Sequence, residues 1–275
     1  RRFVKGVVGS AALASVASGG AAALNVTTPP IGAGGGTTQF FAVENIAGPA
    51  PRGMPIIPIE ITDAGELKGV PPKTVGELSD AEKKDGFNGS GVPYTYSWFQ
   101  YCGVQSYKGL NPNIDHDNFF RAKAGYDWMS DVEPGTKLTV DMFDNYKEWG
   151  NGIGKSGLGK PAMGSWRSEV EEATTMPVQV LRSKKVPKMA AGEGQWADLP
   201  DSVQQFIKGA TQDGFIAWLD KCTHFCCVPG FKRYQASIKF DAKDDVYCPC
   251  HQSVYDPFSP VLRSFVALPR PRSSQ

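Results

Sequence analysis

Two short boxes carry most of the residues in this chain that could do chemistry. The first is Cys222-Thr223-His224-Phe225-Cys226-Cys227-Val228-Pro229, and the second is Cys248-Pro249-Cys250-His251-Gln252-Ser253-Val254-Tyr255. Between them they hold five of the six cysteines and two of the three histidines, a concentration that random scatter does not produce. Cys-x-His in one box and Cys-x-x-His in the other supply two thiolates and two imidazoles, a metal-ligand set. Each box is too short, and too punctuated by Pro and Cys, to be a helix, so each is read as a loop that turns its ligands inward. Two such loops facing one another can clasp a flat cluster. Structural zinc is the plainer competitor, but zinc fingers use C-x2–4-C and H-x3–5-H spacing. A framework made only of disulfides leaves both histidines unexplained.

The wording CTHFCCVP…CPCHQSVYD resembles the two boxes of the Rieske iron–sulfur subunit of cytochrome bc-type complexes, usually CTHLGC and CPCHGS. That resemblance implies a [2Fe–2S] cluster in which His replaces Cys on one iron, which raises the potential. Carried over residue by residue, Cys222 and Cys248 hold one iron, and His224 and His251 the other. Cys227 and Cys250 form a disulfide. Ser253 and Tyr255 match the hydroxyl residues that hydrogen-bond a bridging sulfide and a ligand sulfur, which favours the more negative, reduced cluster. His251 is the position at which quinol is met. Two departures stand out, because Cys226 and Gln252 occupy places where glycine is usual and relaxes tight backbone. The resemblance is convincing over residues 213–260, extends to the N-terminus in layout only, and misses the middle of the chain.

The implied function is that of the electron-transfer subunit of a quinol–cytochrome c reductase-type oxidoreductase. It takes electrons from quinol at a cytochrome b-type membrane subunit and passes them to an extracytoplasmic haem or copper acceptor, within a dimeric complex. Two relatives of that function remain open. One is the Rieske small subunit of an exported molybdenum oxidase, similar to arsenite oxidase. The other is a soluble Rieske ferredoxin or oxygenase component, which shares the four ligands but normally lacks the second cysteine pair. A non-redox zinc module is the alternative from outside the class.

A net charge of +1 gives no electrostatic case for nucleic acid. With 31 Gly and 21 Pro in 275 residues, the composition favours a loop-rich, mainly β protein with room for a proper core. A disulfide beside the cluster points to an oxidising compartment outside the cytoplasm. Arg1-Arg2-Phe3-Val4-Lys5 resembles a twin-arginine export motif, and Gly6 to Leu24 follows without a charge. Those nineteen residues would be about 28 Å long as a helix, close to the thickness of a hydrocarbon core. The expectation is a single-pass anchor over 1–24 in the cell membrane, with the head on the extracytoplasmic side; a cleaved signal peptide is the competing reading. Asn25 to Gln39, with its Pro pair and Gly triplet, reads as a flexible hinge linker.

The Rieske head is then expected over 40–275, mainly β, as an antiparallel base of stacked sheets with the cluster loops at its tip. Pro55 to Ile61 reads as an edge strand because of its prolines, and Ser79-Asp80-Ala81-Glu82 as a capping box opening a short helix. Residues 85–175 look like an insertion, and its run from Val92 to Trp166 is rich in aromatics. An enlarged core is the more ordinary reading of that run, and a docking surface the alternative. Lys137–Met142 alternates like a strand. Gly152-Ile153-Gly154-Lys155-Ser156-Gly157 mimics GxGxxG and a P-loop ending, but follows no strand and reads as a mobile loop. His116 reads as an exposed histidine, and Cys102 as a small buried residue with no evident partner. Asn25 and Asn88 open N-x-[ST] triplets.

Farther on, Pro177–Arg182 reads as a strand, and Asp201–Lys208, closed by Gly209, as a helix. Gly214–Leu219 reads as a buried strand delivering the first box, Ser237–Phe240 as one leading to the second, and Val261–Leu268 as the last strand. The family carries a proline-rich loop that shields the cluster after the second box. Ser259-Pro260 is the nearest candidate by position, whereas Gly48-Pro49-Ala50-Pro51 has the wording in the wrong part of the chain.

Overall fold

In the computed structural model, residues 36–102, 104, 110, 117–168 and 176–267 are described. The expected anchor, most of the linker, Asn25 and His116 lie outside them. No helix among the described residues is long and apolar enough to cross a membrane.

The molecule is mainly β. Nine strands form one antiparallel sheet in the order β5-β6-β7-β8-β2-β1-β11-β10-β9. The strands are β1 (Gly36–Ala47), β2 (Met54–Ile57), β5 (Arg121–Ala122), β6 (Lys160–Trp166), β7 (Met176–Arg182), β8 (Phe215–Leu219), β9 (Gly230–Phe231), β10 (Val246–Tyr247) and β11 (Val254–Ala267). A separate hairpin joins β3 (Ile59–Ile61) to β4 (Leu67–Gly69). Among the described residues the α-helices are α1 (Asp80–Asp85), α2 (Lys185–Ala191) and α3 (Asp201–Ala210). Every residue of the site described below falls within the compact unit Gln39–Arg263.

Strands β6 and β8 are buried along their whole length, as is nearly all of β7. That accounts for the continuous apolar run of β8, FIAWL, since a strand covered on both faces has no solvent side to alternate towards. The strand expected at Pro177–Arg182 is β7, and the buried strand expected before the first box is β8. The Ser79 box caps α1 as expected: the Ser79 hydroxyl accepts from the Glu82 amide at 3.2 Å, and the Glu82 carboxylate accepts from the Ser79 amide at 2.9 Å.

Several expectations are corrected. Pro55–Ile61 is not one edge strand: it divides at Pro58 into β2, which lies inside the sheet between β1 and β8, and β3, which belongs to the separate hairpin. The ladder from β2 to β8 pairs Ile56 with Trp218 and Ile57 with Ala217, so the missing proline donors fall outside that pairing. Lys137–Met142 makes only isolated bridges, Thr139 to Glu66 and Lys137 to Arg121, before a 3-10 turn at Asp141–Phe143. Ser237–Phe240 lies in a 3-10 helix, Gln235–Phe240, and the second box is entered from β10 instead. Helix α3 runs through Gly209. A Cβ there would sit 2.6 Å from the Asn88 Cβ, so the glycine serves close packing rather than termination. Asn88, the second triplet, also donates its side-chain amide to the Gln205 carbonyl at 2.7 Å.

The aromatic run is core. Trp98, Phe99, Phe41, Phe206 and Trp166 are all buried. Phe41 stacks on Phe206 with ring centroids 4.2 Å apart, and Tyr94 meets Trp98 edge-on at 5.0 Å. The same stretch supplies β5 and β6 to the sheet. The GxGxxG mimic is pinned, not mobile. The Lys155 amide donates to the Asp244 carboxylate at 2.7 Å, and the buried Lys232 ammonium donates to the Lys155 carbonyl. A loop whose amide is spent on a carboxylate of its own chain offers no phosphate cradle.

Candidate metal centre

Strand β8 ends at Leu219 and hands the chain directly to the first box, while β10 ends at Tyr247 and delivers the second. The two boxes have the same backbone pattern. In the first, the Cys222 amide donates to the Cys227 carbonyl at 2.7 Å, and the Cys226 amide returns to the Cys222 carbonyl at 3.1 Å. In the second, the Cys248 amide donates to the Ser253 carbonyl at 2.9 Å, and the Gln252 amide returns to the Cys248 carbonyl at 3.0 Å. The residues that stand where glycine was expected, Cys226 and Gln252, have φ of +65° and +63°. The left-handed turn is therefore kept without glycine, at a cost of about 1 kcal/mol per residue.

This arrangement brings the four predicted ligands together in two pairs, Cys222 with Cys248 and His224 with His251. Cys222 and Cys248 are buried and are the two free thiols among the described residues. They hydrogen-bond one another, and that bond is the main cause that draws the Cys222 thiol down to about 5. Burial opposes the shift, while the Tyr255 hydroxyl and the His224 and Phe225 amides add to it. Cys248 is pushed up, first by the same bond and then by burial. The rings of His224 and His251 lie 4.9 Å apart, centroid to centroid, and nearly perpendicular. His224 Nδ1 is buried with no hydrogen-bond partner among the described residues, whereas His251 is exposed. Phe225, 65% exposed, packs against both rings at 4.4 and 4.9 Å.

Tyr255 donates its hydroxyl to the Cys222 sulfur at 3.2 Å and also accepts from the Thr223 amide at 3.2 Å. Burial, followed by the neighbouring Cys222 charge, drives this phenol well above its usual range, so it remains a donor. Ser253 is fully buried, and its oxygen accepts from the Ala50 amide at 3.2 Å, which leaves its own hydrogen to give. Cys227 and Cys250 are disulfide-bonded, with Cα atoms 6.6 Å apart. The sulfurs of Cys227, Cys248 and Cys250 lie within 4.8 Å of one another, but two of them are joined, so this trio offers one thiolate only.

The donor set suits a metal centre. Two buried thiols free to lose a proton and an orphaned imidazole nitrogen are expensive in a protein interior unless something binds them. Cys222, Cys248, His224 and His251 are the residues that would hold it.

Two parts of the site escape the sequence reading. Cys102 is not a lone cysteine. It is disulfide-bonded to Cys226, 124 positions further along the sequence, with Cα atoms 5.4 Å apart. The other is the segment Gly48–Arg52, between β1 and β2. Here Ala50 engages Ser253, the Arg52 carbonyl accepts from the Thr223 hydroxyl, and a Cβ on Gly48 would meet the Gln252 carbonyl at 2.5 Å. Gly48-Pro49-Ala50-Pro51 thus lies against the second box, and Arg52 after it reaches the first, although the segment precedes both in the chain. Ser259-Pro260, the candidate by position, lies inside β11, with the Ser259 hydroxyl on Glu44 at 2.6 Å. The wording of Gly48–Pro51 is legible in the sequence; only the fold brings it to the site.

Compared with known proteins, the chain matches no family model, no curated protein and no solved structure.

Proposed function

We propose that this chain is the membrane-anchored Rieske iron–sulfur subunit of a quinol-oxidising cytochrome bc-type complex. The observation that carries the reading is the meeting of two buried, unbridged thiols, Cys222 and Cys248, and of two imidazoles, His224 and His251, in the two boxes that the Cys227–Cys250 disulfide joins. When bound there, a [2Fe–2S] cluster supplies a one-electron carrier.

The chain's own residues do the rest. Cys222 and Cys248 would bind the cluster as a pair of thiolates. The buried Nδ1 of His224 is a ready ligand atom, and the exposed ring of His251 presents a nitrogen to which a quinol hydroxyl hydrogen-bonds and passes its proton. Phe225 offers an apolar face against both rings, which suits the body of a quinol and excludes water from it. Tyr255 gives a hydrogen bond to the Cys222 sulfur, which is strongest when that sulfur carries most negative charge, and so favours the reduced state. The partners on this reading are a cytochrome b-type subunit, quinol, a haem or copper acceptor and the lipid bilayer.

Low-temperature EPR of the purified protein, before and after ascorbate, tests the reading. A Rieske-type signal with this mild reductant is the expected result. A signal that needs dithionite would replace the reading with a low-potential ferredoxin or oxygenase partner, and stoichiometric zinc without a signal would replace it with a zinc module.

A further inference from the structure

We infer that the Cys102–Cys226 disulfide is a positioning cross-link, which holds the left-handed turn of the first box from the aromatic stretch and does the work a glycine would do there. Cys226 has a φ of +65°, which an L side chain adopts reluctantly, and its amide closes the turn on the Cys222 carbonyl at 3.1 Å. The bond to Cys102 fixes that residue from outside the box. A second contact comes from the neighbouring residue, since the Tyr101 hydroxyl donates to the Lys221 carbonyl at 2.8 Å. Cys102 Sγ itself lies 3.4 Å from the Cys222 carbonyl oxygen. The strap therefore grips both ends of the segment Lys221–Cys226, which contains Cys222 and His224. The Arg52 guanidinium stacks over the Tyr101 ring at 5.1 Å and ties the same strap to the segment that covers the boxes. At the equivalent left-handed residue of the second box, Gln252, the side chain is exposed and no disulfide replaces the glycine.

The functional meaning of this cross-link rests on Cys222 and His224 being ligands, but its geometry does not. Its test therefore has two independent readouts, on the full chain as wild type, C102S and C102S/C226G. The first is amide hydrogen exchange of the peptide spanning Lys221–Val228 in metal-free protein. Freed from its cross-link, a left-handed cysteine should open the turn, and C102S should exchange about tenfold faster. Glycine at 226 accepts that φ without strain, so C102S/C226G should return close to the wild-type rate. The second readout is EPR after reconstitution with iron and sulfide, where C102S should lose or broaden the signal and the double variant should recover it.

Wild-type exchange in C102S would overturn the inference. So would a double variant that stays as open as C102S, or fails to fold alongside it, since the cross-link would then be a general staple. Folding restored by glycine where C102S alone does not fold would support it. Wild-type protein that gives no cluster signal would sink the Rieske reading, while the exchange rates would still decide the role of the cross-link.

Discussion

The first and second boxes make the same pair of backbone hydrogen bonds around the same left-handed turn, yet they are held in opposite ways. The second box is held by its own strands: β10 leads into it, and Val254 and Tyr255 already belong to the fourteen-residue β11. The first box leaves β8 and reaches only the two-residue β9, so its support comes from side chains outside it. Cys102 and Tyr101 grip it from one stretch of chain, Arg52 from another, and Cys250 from the second box. The two histidines follow the same division, His224 being half-buried and His251 exposed. On the proposed reading, a more covered half and a half that faces outward suit a site that keeps a metal while meeting a partner.

Removing a ligand is the harshest way to break this comparison. Cys222→Ser and Cys248→Ser should each abolish the cluster, because either change leaves three donors, with loss read by iron and sulfide content. A variant that keeps both a full complement and its spectrum would remove that residue from the ligand set. Next comes the bond between the boxes. The joint change Cys227→Ser, Cys250→Ser opens a loop of 23 residues, which the chain-entropy view puts at roughly 3 kcal/mol. For a unit of this size the melting temperature should fall by about 10 °C. An unchanged melting curve would show that the strands alone keep the boxes together.

Tyr255→Phe acts on one hydrogen bond across the boxes. Loss of about 1 kcal/mol of preference for the reduced state corresponds to a potential lower by roughly 40 mV for a one-electron couple. Redox titration by EPR checks it, and an unshifted potential would deny the Tyr255–Cys222 bond its tuning role. Gln252→Gly sharpens the contrast at the turns. Relief of the left-handed side chain should stabilise the protein by up to about 1 kcal/mol in denaturant unfolding, with the potential unchanged. Destabilisation would mean that the exposed glutamine makes a contact worth more than the strain.

The smallest effect concerns Asp245, which precedes β10. Burial, then Asp256 and Asp244, push its carboxyl up to about 6, with Asp241 adding and Lys185 opposing. The folded state thus holds a proton that the unfolded chain releases near pH 4. This group's contribution is most favourable below pH about 4 and is lost as pH rises to about 6. Asp245→Asn should flatten that part of the stability–pH curve, and an identical curve would remove Asp245 from the account.

What could be read from sequence was local. The boxes, β8 with its wholly apolar run, β7 and the Ser79 cap each carry their signal within a few residues. Ser237–Phe240 misleads because four residues of alternation suit a 3-10 helix as well as a strand. Gly209 misleads because a glycine just past a helical pattern is ordinarily a stop, and only the approach of Asn88 shows its other use. Cys102 and the Gly48–Arg52 segment could not be placed, since the partner of Cys102 lies 124 positions away in the chain and that of Ala50 203 positions away. The fold supplies those contacts, and no local pattern encodes them.

Adjacent cysteines with different destinations restrict how the molecule can be made. Cys226 bonds Cys102 and Cys227 bonds Cys250, while Cys222 and Cys248 stay reduced a few residues away. Six cysteines fully oxidised can pair in about fifteen ways, and every one of them consumes the two thiols the site needs. A chain that meets an oxidant before it has folded, or before those two sulfurs are engaged, is therefore exposed to mispairing at its centre. Biogenesis that fills the site first and oxidises afterwards would leave four cysteines, and would turn an ambiguous pairing problem into one that the finished fold can solve.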